Sequence, residues 1–368
     1  MPRPEEHRWP CEACGADLTF APGQQELVCG HCGHVQRIPA APASERDRAL
    51  GELDLRAALE GTLPRDATVD VRLVRCPSCG AEIEFDGVTH ASACPFCATP
   101  VVVDTGTHRH IKPQALVPFK LTEREGREAM VRWLGSLWFA PNGLTEYARK
   151  GRTLTGIYVP YWTFDAATRS RYAGQRGDAY YETRTVTVMV DGKPQRRQEQ
   201  VRKIRWTPVR GWVGRFFDDV LVLASTALPR RYTDALAPWD LGALQPYRPD
   251  YLSGFEAEGY TIALPEGHAI GRQVMAEVIA QDVRRDIGGD EQRIDRIDST
   301  FEDETFKHIL LPIWMAAYKY NGKSYRFVVN GQTGKVQGER PWSAWKIALA
   351  VIAGLIVAGV VAWVTQQQ

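Results

Sequence analysis

Eight cysteines fall into two sets of identical spacing, and thiolates at that spacing hold metal ions. Cys11, Cys14, Cys29 and Cys32 read C-x2-C-x14-C-x2-C. Cys76, Cys79, Cys94 and Cys97 repeat the pattern 65 residues later with the same fourteen-residue gap. Two residues between cysteines let a tight turn aim both sulfurs at one ion, and two such turns complete a tetrahedral S4 shell. Glycine after the second cysteine of a pair (Gly15, Gly33, Gly80) suits a turn with positive φ; Ala98 breaks that habit in the last pair. The likeness runs past the cysteines: CEACGADLTF aligns with CPSCGAEIEF, so Gly15, Ala16 and Phe20 recur as Gly80, Ala81 and Phe85. This is an internal duplication, and it uses every cysteine in the chain.

The spacing predicts two zinc ribbons carrying two structural zinc ions. Iron in a rubredoxin-like site is the alternative for S4 ligation. Four thiolates close the shell and leave no open position for catalysis. A redox pair needs one C-x-x-C in a βαβ setting, which four such pairs in two hairpins do not supply. His31 and His34, beside Cys32, are expected at the surface. Residues 1–40 carry three Arg against five acids and residues 70–104 two Arg against five. Phosphate-binding surfaces are basic, so a protein partner suits these ribbons better than nucleic acid.

The elements that must position the ribbons divide the chain into residues 1–40 (ribbon 1), 41–68 (a linker with a helix), 69–104 (ribbon 2), 105–341 (an α+β body) and 342–368 (a membrane tail). Ser44 and Asp47 suggest a capped helix through about Leu59, in an arm that spaces the ribbons from the body. Val69, Val71 and Leu73 alternate as a strand. In the body, Thr122 and Glu125 form a capping box before Met130, Val131, Trp133, Leu134, Leu137 and Trp138. A second helix over about 266–286 has its stripe at Ile270, Val274, Val278 and Ile279 and stops at Gly288-Gly289. TVTVMV before Asp191-Gly192 reads as a hairpin entry. Val159-Pro160-Tyr161-Trp162 and Leu311-Pro312-Ile313-Trp314 look like matching entries of a duplicated β unit, with proline expected at a strand start or edge. Val117-Pro118-Phe119 echoes them.

Residues 347–364, IALAVIAGLIVAGVVAWV, hold no charge over eighteen positions. A helix of that length spans about 27 Å, close to the hydrocarbon thickness of a bilayer. Trp342, Trp345 and Trp363 stand where interfacial aromatics belong. The competing reading is a core helix, but core helices rarely stay apolar on every face for five turns. Lys335, Arg340 and Lys346 precede the span against Glu339 alone, so the N-terminal part is expected in the cytoplasm and the span in the inner membrane. MPRPEEHRWPCEACG has no apolar h-region of a signal peptide, and cytoplasmic cysteines stay reduced.

No motif argues for an enzyme. Residues 317–324 (AYKYNGKS) fit a permissive P-loop pattern, but the interior is bulky and a β pattern follows in place of a helix. Asn321-Gly322 reads as a hairpin turn. No GxSxG elbow, GxGxxG loop or HExxH pair is present.

The paired knuckles, YVPYW, LLPIW, VVNGQTGKVQGERPWSAWK and the single C-terminal span together resemble one bacterial family. Its members are catalogued as TFIIB-type zinc-ribbon proteins or labelled primosomal protein N′ (replication factor Y). They are commonly encoded beside phage-shock-protein-A-like and SPFH (flotillin-like) proteins. The resemblance implies a membrane-anchored adaptor in a membrane-stress or membrane-organising complex. The helicase-like label implies the alternative, a nucleic-acid-binding zinc protein tied to replication.

A chain of net charge +1 keeps two opposite segments. Residues 169–215 hold twelve Lys or Arg against four acids; residues 250–306 hold fourteen acids against five Arg. Either the two pair inside the fold, or the basic segment, with Trp206, Trp212, Phe216 and Phe217, faces an anionic leaflet.

Overall fold

The computed structural model describes residues 9–64, 67–76, 80–84, 91–93, 96, 100–102, 107–138, 154–190, 193–320, 323–339 and 343–366. Three short strands open the chain: β1 (Leu18–Phe20), β2 (Glu26–Cys29) and β3 (Val35–Arg37), an antiparallel meander. The expected linker helix is two helices, α1 (Ala43–Leu50) and α2 (Leu55–Leu59), separated by β4 (Leu53–Asp54). Ser44 caps neither one. Pro42 takes the cap position of α1, and the Asp54 carboxylate accepts from Ala57 N at 2.7 Å to cap α2. The second cysteine repeat contributes β5 (Thr68–Arg75), β6 (Glu82–Glu84), β7 (Ala91–Ala93) and β8 (Pro100–Val102), and β9 (Thr107–Ile111) pairs back onto β5.

The body runs β10 (Ala115–Leu116), α3 (Glu123–Ser136), β11 (Thr155–Val190), β12 (Lys193–Leu223), α4 (Arg230–Asp234), β13 (Gln245–Pro246), β14 (Glu256–Ala257), α5 (Leu264–Ile287), β15 (Glu291–Tyr320), β16 (Lys323–Asn330), β17 (Val336–Gly338) and α6 (Ala344–Gln366). One mixed sheet carries it, in the order β12-β11-β15-β10-β13 with β4, β14, β16 and β17 joined at its sides. Thr122 and Glu125 cap α3 reciprocally, as the capping box predicts. β11 and β12 pair up to Val190 opposite Lys193, and β15 and β16 up to Tyr320 opposite Lys323. Both hairpins are thus where Asp191-Gly192 and Asn321-Gly322 place them, although those four residues lie outside the described ones. Lys323 and Ser324 begin a strand, which removes the helix that a P-loop requires.

The apolar run GIYVPYWTF buries β11 on both faces. Ile157, Val159 and Tyr161 face one core; Tyr158, Trp162 and Phe164 face the other side. Pro160 and Pro312 are interior to their strands, contrary to the expected edge or start. Each lies where one flanking strand hands over to the next. On β11 the handover is from β14 at Tyr158 to β12 at Tyr161; on β15 it is from β10 at Leu310 to β16 at Ile313. The missing N–H therefore costs no ladder bond. The two signatures lie antiparallel about Val159 opposite Leu311.

α5 covers the Trp162 face; of the expected stripe Ile279 is buried in that core and Ile270 and Val278 pack against it half-buried, but the fully buried line runs through other residues. Gly267, Gly271, Met275, Ile279, Val283 and Ile287 are buried, whereas Val274 and Val278 are only partly so. Glycine makes the contact because aromatic rings fill the space. A Cβ on Gly267 would lie 2.5 Å from Trp162 Cδ1, and one on Gly271 2.8 Å from Phe164 Cδ2. Gly288 and Gly289 end the helix at φ +63° and +76°.

The ribbons are not held off by an arm. Leu18, Phe20 and Leu27 share a core with Phe119, Tyr158 and Trp314 of the body, and Phe20 meets Tyr251 edge-on at 5.3 Å. Phe20 N donates to Ser253 O, and Ser253 Oγ to Leu18 O. Cys76, Ala81 and Phe96 of the second repeat belong to the core on the opposite face, with Ile157, Val159 and Leu311. The apolar residues between the knuckles leave little surface of their own, so each ribbon completes its core against the sheet.

Above this base, β11, β12 and β15 continue as a long antiparallel ribbon. β15 stops pairing at Glu291 opposite Gly177; beyond it β11 and β12 go on alone. The two charge segments are neighbours here, joined by the ladder and by Arg202–Glu291 at 3.0 Å and Arg215–Asp282 at 2.6 Å. Much of the basic segment stays exposed. Arg169, Arg171, Arg210, Trp212 and Phe216 lie on the ribbon face opposite α5, where Arg171 stacks over Trp212. Phe217 turns the other way, into the α5 core.

Candidate metal centre

The first cysteine repeat brings its four sulfurs together. Cys11 Sγ lies 3.5 Å from Cys32 Sγ, and Cys14 Sγ 3.5 Å from Cys29 Sγ; all four fall within 4.8 Å of one another. A tetrahedral ion at a metal–sulfur distance of about 2.3 Å needs sulfurs about 3.8 Å apart. The shell fits such an ion. His31 and His34 are not part of the group.

Each turn is built the same way. Gly15 N donates to Cys11 O at 2.8 Å and Cys11 N to Ala16 O at 2.7 Å; Gly33 N donates to Cys29 O at 3.0 Å and Cys29 N to His34 O at 2.8 Å. Gly15 and Gly33 sit at φ +75° and +74°, a conformation that costs glycine nothing. Backbone amides then point at sulfur. Those of Cys32 and His31 hold the Cys29 thiol down at about 6. The Cys14 thiol, despite the Ala16 amide, is pushed up to about 12 by the thiols of Cys32 and Cys29. Four sulfurs this close share protons until a cation replaces them.

In the second repeat, Cys79, Cys94 and Cys97 lie outside the described residues. Its first turn repeats the pattern: Gly80 N donates to Cys76 O at 2.9 Å, Cys76 N to Ala81 O at 2.8 Å, and Gly80 has φ +76°. Cys76 is buried in the same position as Cys11.

A second constellation was not read from the sequence. Glu52, Asp165 and Asp218 each bring a carboxylate oxygen within 4.8 Å of the others. Buried Lys307 lies 3.1 Å from Glu52 and 3.1 Å from Asp219. Asp219 N donates to Asp165 Oδ1, and Thr305 Oγ1 to Glu52 Oε2. Burial, and then the hydrogen bond with Glu52, pushes Asp165 up to about 7. Glu52, despite burial, is held at about 2 by hydrogen bonds with Asp165 and Thr305 and by Lys307. The signal available in sequence is Asp165 itself, an acid inside the apolar run YVPYWTFDAA.

The C-terminal helix carries a candidate span over Trp345–Thr365, 21 residues long, whose most apolar 18-residue stretch has a mean hydropathy of 2.7 and no buried residue. Arg326 O holds Glu339 N at 2.9 Å, so the helix begins within about 17 Å of the sheet's base.

Comparison with known proteins gives one full-length relative. The chain is 25% identical over 345 residues to the uncharacterized protein YdjG of Bacillus subtilis (strain 168), a match covering 92% of this chain and 91% of the relative. No family profile matches the chain, and no solved structure does.

Proposed function

We propose that the chain is a membrane-anchored, non-enzymatic zinc-ribbon adaptor that recruits cytoplasmic partners to the inner membrane. The carrying observation is α6: a long apolar helix that the body leaves wholly uncovered requires another apolar solvent. Lys335, Arg340 and Lys346 keep the body on the cytoplasmic side. Two zinc ions, one at Cys11, Cys14, Cys29 and Cys32 and one at Cys76, Cys79, Cys94 and Cys97, fix the ribbons against opposite faces of the sheet. Closed S4 shells are structural, which suits a scaffold. Phage-shock-protein-A-like or SPFH proteins are the partners that the family resemblance suggests.

The ribbon face with Arg169, Arg171, Arg210, Trp212 and Phe216 supports a second reading, binding to single-stranded nucleic acid by stacking and charge. Anionic lipid at residues 169–215 requires the ribbon to lie along the membrane, because β11 runs away from the anchored end.

Capture of the intact protein in mild detergent tests the adaptor reading. A cytoplasmic protein should co-purify, and it should leave the membrane fraction in cells lacking residues 344–366. Salt-dependent DNA or RNA affinity of a chain ending at Gly338, with no such protein, supports the second reading.

A further inference from the structure

We propose that Glu52, Asp165 and Asp218 bind a hard divalent cation, magnesium or calcium, at the point where β4, β11, β12 and β15 converge. Their carboxylate oxygens lie within 4.8 Å of one another, a spacing that one oxygen-liganded ion bridges. Charge balance points the same way. Lys307 answers Glu52 and Asp219, each at 3.1 Å. Among the described residues no ion pair reaches Asp165 or Asp218.

An independent group also faces the site. Thr163 is fully buried, and its hydroxyl has no hydrogen-bond partner. It stands opposite Lys307 in the register, two residues before Asp165 on the same face of β11. A buried hydroxyl left without a partner is unfavourable, and an ion or a water bound to it supplies one.

The backbone is shaped for this position. The β11 ladder with β12 slips between Phe164 and Ala166, and the ladder with β15 slips between Asp165 and Ala167. β12 steps around Asp165, whereas β15 pairs it with Thr305 and steps around Ala166, so the ladder opens on the β12 side while Asp165 keeps the face it shares with Thr305 and Thr163. Glu52 reaches the site from the other direction, one residue ahead of β4, which pairs with β15 at Thr305 and Phe306. A bound ion therefore ties the segment that follows ribbon 1 to the middle of the sheet. Oxygen ligands select hard ions and the S4 shells soft ones, so the two kinds of site load separately.

Isothermal titration of the full chain, zinc-loaded and in detergent micelles, tests this with magnesium and calcium chlorides in separate runs. The expected result is one ion per chain with a dissociation constant of about 0.1–1 mM for at least one of them. Asp218→Asn should weaken binding at least about tenfold. Asp218 is exposed, so this variant should fold, as far-UV circular dichroism and zinc content would verify. Thr163→Val should weaken binding by a smaller factor. If neither ion gives saturable binding below about 10 mM, or if Asp218→Asn binds as tightly as the native chain, the site is a proton-sharing carboxyl cluster and the proposal falls.

Discussion

Residues 155–166 of β11 are buried on both faces, whereas residues 179–187 of the same strand have solvent on both. The backbone is extended throughout, and from Ala166 onward the ladder with β12 continues in register to the tip. What differs is cover. At the base, α3 and ribbon 1 lie on one face and α4 and residues of ribbon 2 on the other; at the tip there is a single partner strand. Each large side chain buried at the base contributes roughly 1.5–3 kcal/mol. Two strands alone are marginal in water. The tip therefore depends on the base for its order, while the base should be indifferent to the tip.

Removing the metal should have the largest effect. Cys29 and Cys11 share a core with Tyr158 and Trp314, so a chelator or Cys29→Ser should loosen the sheet base as well as the ribbon. Thermal denaturation should shift down by more than about 10 °C, with faster hydrogen exchange at Tyr158 and Trp314. If exchange quickens only within residues 9–38, the ribbons are appendages and the comparison is wrong.

Next comes the α5 contact. Gly267→Val drives a side chain into Trp162 and should cost about 1–3 kcal/mol or more. Gly214→Ala on the ribbon meets nothing closer than Thr168 O at 3.6 Å, and should stay within about 0.5 kcal/mol. Equal denaturation midpoints for the two variants would erase the distinction.

A pH effect should follow from Glu258 at the base. It is buried and accepts from Ser225 Oγ at 2.6 Å. Burial pushes its carboxyl up to about 8. The folded state thus holds a proton that the unfolded chain releases near its ordinary pKa of 4.5. The stability this proton provides is complete below pH 4.5 and is lost as pH rises towards 8. Glu258→Gln keeps a neutral acceptor. It should flatten the decline and gain on the order of 1–3 kcal/mol at pH 8 over the native chain. A decline as steep in the variant would assign the effect to other groups.

The smallest effect belongs to the tip. Changing Arg196, Arg197, Arg202 and Lys203 together to Gln breaks Arg202–Glu291 and Lys203–Glu182, both exposed pairs. Stability should change by less than about 1 kcal/mol. Flotation with anionic vesicles measures whether the same residues touch lipid, and binding that survives all four changes removes them from any membrane contact.

Much of this was legible in advance. The capping box at Thr122 and Glu125, the stop at Gly288 and both hairpins are local features, set by residues within a few positions of each other. The α5 stripe was legible only in part: Ile279 belongs to it, but the line opens at Gly267 and Gly271, and a pattern of apolar side chains cannot register a contact made by their absence. The prolines were misplaced because their tolerance depends on a gap between two other strands. The arm was misread because docking of ribbon 1 rests on Tyr251, Ser253 and Phe255, more than two hundred residues away in the chain.

The sequence by itself determined the ligand spacing of the cysteines, the apolar span and the segregation of charge, since each follows from residue types at short separation. The acidic cluster was decided only by the tertiary structure. Glu52, Asp165, Asp218 and Lys307 come from four distant parts of the chain and share no periodicity. They meet because strand register and two bulges bring them to one point. Long-range pairing is set by the summed burial of whole strands, and no short stretch of sequence carries that sum.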